Sequence, residues 1–235
     1  MSRIEHIIEP NRVWLVWQTS LQGHQRLRRF VGEIQKNPEN NAVTFRYLDD
    51  TDDFQLAKSE GFTGFTAFGP KLEVRTHGVL EAFMRRLPPR NREDFNEYLA
   101  RHRLPDNFNF SDLALLAYTG AKLPSDGFEF CPDLSQARPP LELVIEIAGF
   151  RHQSAVSSSD LVLGDAVTFV PEPDNQSDAN AIAIHYKNQR IGYVGRTHTQ
   201  SLQHWIQMNY TIEAKIERIN GKPERPLIYL FVTVR

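Results

Sequence analysis

Apolar residues follow two different spacings along the chain. Val13–Trp17, Arg29–Ile34 and Ala42–Leu48 are short β-branched or aromatic runs, each bounded by polar turn residues, and they predict three strands. The spacing then turns helical. Val79, Leu80, Phe83 and Leu87 share one face of a helix over Gly78–Leu87, which Pro88 and Pro89 stop. Phe95, Tyr98 and Leu99 mark a second helix over Asn91–His102, with Glu93 and Asp94 in its first turn. Ser111 is placed to cap a third, whose stripe is Leu113, Leu116 and Ala117 and whose end is Gly120. Phe128–Phe130 reads as a last strand. Pro132, Ser135, Gln136, Pro139 and Pro140 then suggest a linker, with a domain boundary near residue 139. Beyond it, strands are predicted over Leu141–Ala148, Ala166–Val170, Ala181–Tyr186, Ile191–Val194, Tyr210–Arg218 and Leu227–Val234, with one helix over Thr197–Met208. The expectation is an α+β domain at 1–131, made of a small antiparallel sheet plus helices. A linker follows at 132–139, then a mainly-β barrel domain at 140–235.

Composition narrows the classes. The 235 residues carry 27 Lys+Arg against 29 Asp+Glu, and 15 Phe, 7 Tyr and 3 Trp supply apolar surface for a core, which excludes a disordered chain. Residues 1–138 hold 18 basic and 19 acidic groups, and residues 139–235 hold 9 and 10, so neither half is a basic arm that coats nucleic acid. A lone cysteine, Cys131, excludes an intrachain disulfide, and eight scattered histidines give no zinc spacing. No apolar run approaches membrane-spanning length and the N-terminus does not read as a leader, so a cytoplasmic protein without membrane contact is expected.

Catalytic constellations are not found in the sequence, and no catalytic residue, metal or cofactor is expected. Cys131 stands before a proline with no orienting partner in view. Gly61–Pro70 is rich in glycine and aromatics but lacks the lysine and helix of a phosphate loop, and reads as a packed turn. Asp49, Asp50, Asp52 and Asp53 read as an exposed loop or a helix N-terminus. Arg85, Arg86, Arg90, Arg92, Arg101 and Arg103 form the densest basic cluster. They are expected as a solvated helix face balanced by Glu81, Glu93, Asp94 and Glu97, or else as a contact for phosphates or an acidic partner.

The most specific string is Glu172-Pro173-Asp174-Asn175-Gln176-Ser177-Asp178-Ala179-Asn180-Ala181-Ile182, followed after a strand by Arg190-Ile191-Gly192-Tyr193-Val194-Gly195-Arg196. Upstream lies Gly149-Phe150-Arg151-His152. Asp and Asn side chains so spaced bond local amides and predict a tight loop before a strand, which also accounts for Asp174 and Asp178 without a metal. Gly192 suggests close backbone approach. Together these segments resemble the HIRAN domain, over about residues 140–235. The resemblance implies an OB-like barrel that grips the 3′ end of single-stranded DNA. It places Arg151 on a phosphate, His152 as a stacking group, Asp178 as acceptor for a terminal 3′-hydroxyl, and Tyr193 and Arg196 on the same surface. Ser177 departs from the pattern, which usually has a stacking tyrosine there, and Gln176 replaces a proline.

The first half is similar, more loosely, to the N-terminal subdomain of HipA-type toxin kinases. The likeness rests on Phe83–Arg90, Phe110–Gly120 and Gly127–Phe130, with no kinase body following. It implies an interaction domain. The expected function is therefore non-catalytic recognition of DNA ends or single strands. The alternative is an interaction module of a toxin–antitoxin or defence system with a kinase-like partner.

Overall fold

The computed structural model describes residues 2–19, 27–123, 126–153 and 156–235. The chain folds into two compact units. One comprises the residues up to Ile7, Arg103–Pro105 and Leu134–Arg235; the other comprises Ile8–His102 and Asp106–Asp133. The chain therefore passes between the units four times.

In the second of these units, the alternating runs pair into an antiparallel sheet. β1 (Arg12–Gln18) lies between β2 (Arg28–Lys36) and β4 (Phe128–Pro132), and β3 (Val43–Tyr47) adds to β2, giving the order β3-β2-β1-β4. The strand expected to end at Phe130 continues: Cys131 pairs with Trp14 and Pro132 with Val13. Proline is tolerated there because β4 is an edge strand, so Cys131 sits buried in the sheet and not in a linker.

Helix α1 (Asp52–Ser59) explains the acidic cluster. Thr51 Oγ1 accepts the Phe54 N–H at 3.3 Å, Asp52 and Asp53 occupy the first turn, and Asp53 also accepts the Phe30 N–H at 3.1 Å. α2 (Val79–Met84) and α3 (Phe95–Arg101) follow. In α4 (Asp112–Thr119), Ser111 Oγ accepts the Ala114 N–H at 3.1 Å and Gly120 closes the helix at φ 70°. All of Leu113–Ala117 is buried, so this helix is enclosed beyond the expected stripe.

Aromatic rings dominate this unit's core. Phe65 and Phe83 have centroids 4.8 Å apart, Phe83 and Phe130 5.0 Å, and Phe65 and Phe128 5.1 Å. Arg86 enters this cluster, its guanidinium 5.6–5.8 Å from the ring centres of Phe65, Phe128 and Phe130. Asp126 takes it in a bidentate pair at 2.7 and 2.9 Å, and Ala121 O accepts its Nε at 2.9 Å. The solvated-face reading of the arginine cluster therefore fails at Arg86, whose side chain is only 6% exposed. Arg90 likewise turns to Asp112 and to the carbonyls of Phe108 and Phe110. Gly61–Pro70 is the packed turn expected, with Tyr47 Oη accepting the Phe65 N–H and donating to Gly69 O, each at 2.7 Å.

The other unit is a closed antiparallel barrel of β5 (Leu141–Ala148), β6 (Ala166–Pro171), β7 (Ile182–Tyr186), β8 (Gln189–Val194), β9 (Ile212–Lys222) and β10 (Arg225–Val234). Around the barrel the order is β10-β5-β8-β7-β6-β9. β5 pairs with β10 from Leu141 to Glu146, but with β8 only at Ile147↔Val194 and Ala148↔Tyr193. Inward residues such as Ile145, Ile184, Ile191, Leu230 and Val232 fill the barrel. α5 (Arg196–Gln207) buries Leu202 and Trp205. In residues 132–139, where composition suggests a linker, Leu134 and Ala137 are buried, and Ala137 O accepts the Trp205 Nε1–H at 3.0 Å. Glu142 anchors the N-terminal segment, accepting the backbone N–H of Glu5 at 3.0 Å and of His6 at 2.7 Å. No helix among the described residues is long and apolar enough to cross a membrane.

Candidate nucleic-acid interface

The loop between β6 and β7 is built by its own polar side chains. Asn175 Oδ1 accepts the N–H of Ser177 at 2.9 Å and of Asp178 at 3.2 Å, and Asp178 Oδ1 accepts the N–H of Asn180 at 2.9 Å. Ala181 N–H returns to Asp178 O, and Glu172 N–H to Ala181 O, each at 2.9 Å. Gln203 on α5 donates to both Asn180 oxygens at 3.1 Å and so holds the loop's far side. Asp178 is exposed, and its Oδ2 has no partner among the described residues.

Glu172 ties this loop to β8. Its Oε2 accepts from Asn175 Nδ2 at 2.8 Å and from Tyr193 Oη at 3.2 Å, and its Oε1 lies 3.5 Å from Arg190 Nη1. The Asn175 hydrogen bond, helped by Tyr193 and Arg190 against partial desolvation, holds this carboxyl below its ordinary range. The Arg190 guanidinium lies over the Tyr193 ring, 5.1 Å from its centre, and Arg190 Nε reaches Gln153 Oε1 at 3.4 Å.

Gln153 follows the 3-10 turn Phe150–His152, which Gly149 opens at φ 77°. Arg151 and His152 are exposed on that turn, with Arg151 Nε donating to His152 Nε2 at 3.0 Å. One chain of contacts therefore runs from Asp178 through Asn175 and Glu172 to Tyr193 and Arg190, and on to Gln153 beside Arg151 and His152. Arg196 is exposed at the start of α5, three residues past Tyr193 in sequence, and is not a member of this chain of contacts.

Gly192 sets the distance between the two sides. At φ +151°, a Cβ there would stand 2.5 Å from Ile147 Cγ2 and 2.6 Å from Ala148 O, so only glycine lets β8 approach β5. Arg190 and Glu172 were not among the residues expected in the site. Strand alternation puts Arg190 and Tyr193 on opposite faces. However, Gly192 pairs with Ile184 and Arg190 with His185, leaving Ile191 as an extra residue that restores both to one side. The acidic start of the loop string was the available signal for Glu172.

Among the described residues there is no group of three or more His, Cys, Asp and Glu side chains arranged to hold a metal ion. The barrel is thus a closed six-stranded antiparallel sheet with one helix, displaying an Asx-rich loop beside exposed arginines. Residues 141–234, which make up this barrel, match the family model of the HIRAN domain. Two solved structures are similar to it. The HIRAN domain of human HLTF has 21% identity, covering 40% of this chain and 74% of its own, with a TM-score of 0.32. A protein from Lactobacillus plantarum has 19% identity, covering 39% of this chain and 92% of its own, with a TM-score of 0.34. No curated protein matches the chain. The family match leaves residues 1–140 outside it, and the comparisons lend no support to a kinase-like partner for them.

Proposed function

We propose that the barrel binds single-stranded DNA with a preference for a free 3′ end, and that it does so without catalysis. The observation that carries this reading is the contact chain that joins Asp178, Tyr193 and Arg190 to the turn bearing Arg151 and His152. It makes one braced surface from three separate segments. Arg151 and Arg196 supply cations for phosphates and His152 a stacking ring. Asp178 Oδ2 is available to accept a hydrogen bond from a terminal 3′-hydroxyl, and the same carboxylate repels the phosphate an internal nucleotide carries there. The N-terminal unit is assigned an interaction role, or an extension of the DNA site, on its sequence resemblance alone.

Fluorescence anisotropy on single strands ending in 3′-hydroxyl or 3′-phosphate, and on blunt duplex, tests the reading. The 3′-hydroxyl strand should bind best, and Asp178→Ala should erase its advantage over the 3′-phosphate strand. With Arg151 and Arg196 as the phosphate-facing cations, the log–log salt slope should be no steeper than about −1.4. Equal affinity for all three ligands, unchanged by Asp178→Ala, overturns end recognition.

A further inference from the structure

Arg190 is an exposed cation braced from three sides, and the family resemblance assigns it nothing. A surface arginine ordinarily samples many rotamers. Here three elements converge on one guanidinium: Gln153 from the 3-10 turn at 3.4 Å, Glu172 from the loop at 3.5 Å, and the Tyr193 ring beneath it at 5.1 Å. Glu172 also fixes Tyr193, through the hydroxyl at 3.2 Å, so ring and guanidinium are held by one carboxylate. The Arg190 side chain nonetheless stays 44% exposed. Near it, the exposed loop tip carries Ser177, which offers no ring to a base.

We propose that Arg190, backed by Tyr193, is the platform on which a nucleobase of bound single-stranded DNA stacks. This rests on the DNA-binding reading above. A guanidinium is planar, delocalised and weakly hydrated, so it stacks on aromatic faces, nucleobases included. Gln153 and Glu172 limit its motion before the base arrives, and the electron-rich Tyr193 face supports it from behind. The contact is indifferent to sequence, because every base has a π-face. It also places the platform between Arg151 and Asp178 along the contact chain, where the last nucleotides of a strand ending at Asp178 would pass.

Lysine separates this role from a plain phosphate contact, since it keeps the charge and loses the plane. In the full chain, Arg190→Lys should weaken binding of a 3′-hydroxyl oligothymidine about ten- to a hundredfold, matching Arg190→Ala within a factor of two, with the salt slope of wild type retained. Replacing the last two nucleotides by abasic sites should cost wild type at least the same factor and cost Arg190→Lys only what stacking on His152 contributes. If Arg190→Lys binds within twofold of wild type, or if abasic and intact strands bind wild type equally, the platform is overturned while DNA binding stands. If wild type binds no single-stranded DNA at all, both readings fall together. Thermal melting of each variant checks its fold, and the difference in abasic penalty between wild type and Arg190→Lys separates Arg190 from His152 as the stacking group.

Discussion

Gly192→Ala tests the claim that the β5–β8 approach is set by a missing side chain. A Cβ at Gly192 meets Ile147 Cγ2 at 2.5 Å and the Ala148 carbonyl oxygen at 2.6 Å, and its φ of +151° is one that L residues rarely adopt. The methyl of Ile147 can turn aside, but the Ala148 carbonyl belongs to the strand and cannot move without β5. Backbone strain of about 1–3 kcal/mol adds to overpacking of about 1–3 kcal/mol, giving an expected loss of about 2–6 kcal/mol. Gly149 is the internal control: its φ is +77°, yet nothing lies within 4 Å of its Cβ position. Gly149→Ala should therefore cost the left-handed strain alone, about 1–2 kcal/mol, eased slightly by the stiffer unfolded chain. Urea unfolding of the full chain, with Trp14 and Trp17 replaced by Phe, leaves Trp205 as the barrel's reporter. Gly192→Ala should lose at least about 1 kcal/mol more than Gly149→Ala. Equal losses at the two positions would refute the close-approach argument.

Arg86→Ala should destabilise the N-terminal unit by about 3 kcal/mol, at the lower end of the cost of breaking a buried ion pair because Asp126 is 29% exposed. Following urea unfolding by Trp14 and Trp17 fluorescence tests this, and a loss under about 1 kcal/mol would show that the guanidinium is dispensable to the aromatic core. Glu142 supplies a pH dependence. Burial pushes its carboxyl up, but the His6 ring and the N–H groups of His6 and Glu5 outweigh that and hold it below its ordinary 4.5. Its contribution is thus present above pH 4.5 and is lost as pH falls through the lower folded value. Hydrogen exchange at the Glu5 and His6 amides should be protected at neutral pH and released on acidification, and Glu142→Gln should weaken the protection at neutral pH.

Much of the architecture was legible because local signals agreed with burial. β5 occupies the predicted Leu141–Ala148, and Ser111 and Gly120 bound α4 as their chemistry requires. The body of α1 was not read, since only Phe54 and Ala57 are buried in it and two positions make no stripe. The loop's internal geometry was legible from its Asn and Asp spacing, because those bonds span two or three residues. The contacts that join it to the rest were not. Glu172 meets Tyr193 across 21 residues and Arg86 meets Asp126 across 40, distances at which residue spacing carries no information. Arg190 was lost to a rule that usually helps: alternation misplaces it by one residue, and the bulge at Ile191 is what corrects it.

The two-position seam between β5 and β8 has a thermodynamic consequence for any ligand that lies across it. Arg151 follows β5 by three residues and Tyr193 belongs to β8, so a strand gripped by both would supply rungs that this part of the ladder lacks. Opening of the seam and release of such a strand would then be one coupled equilibrium. Each tenfold increase in free ligand beyond saturation would add about 1.4 kcal/mol to the closed form. Conversely, whatever fraction of molecules has the seam open would reduce the apparent affinity by that fraction. A seam held at two positions has much to gain from being occupied.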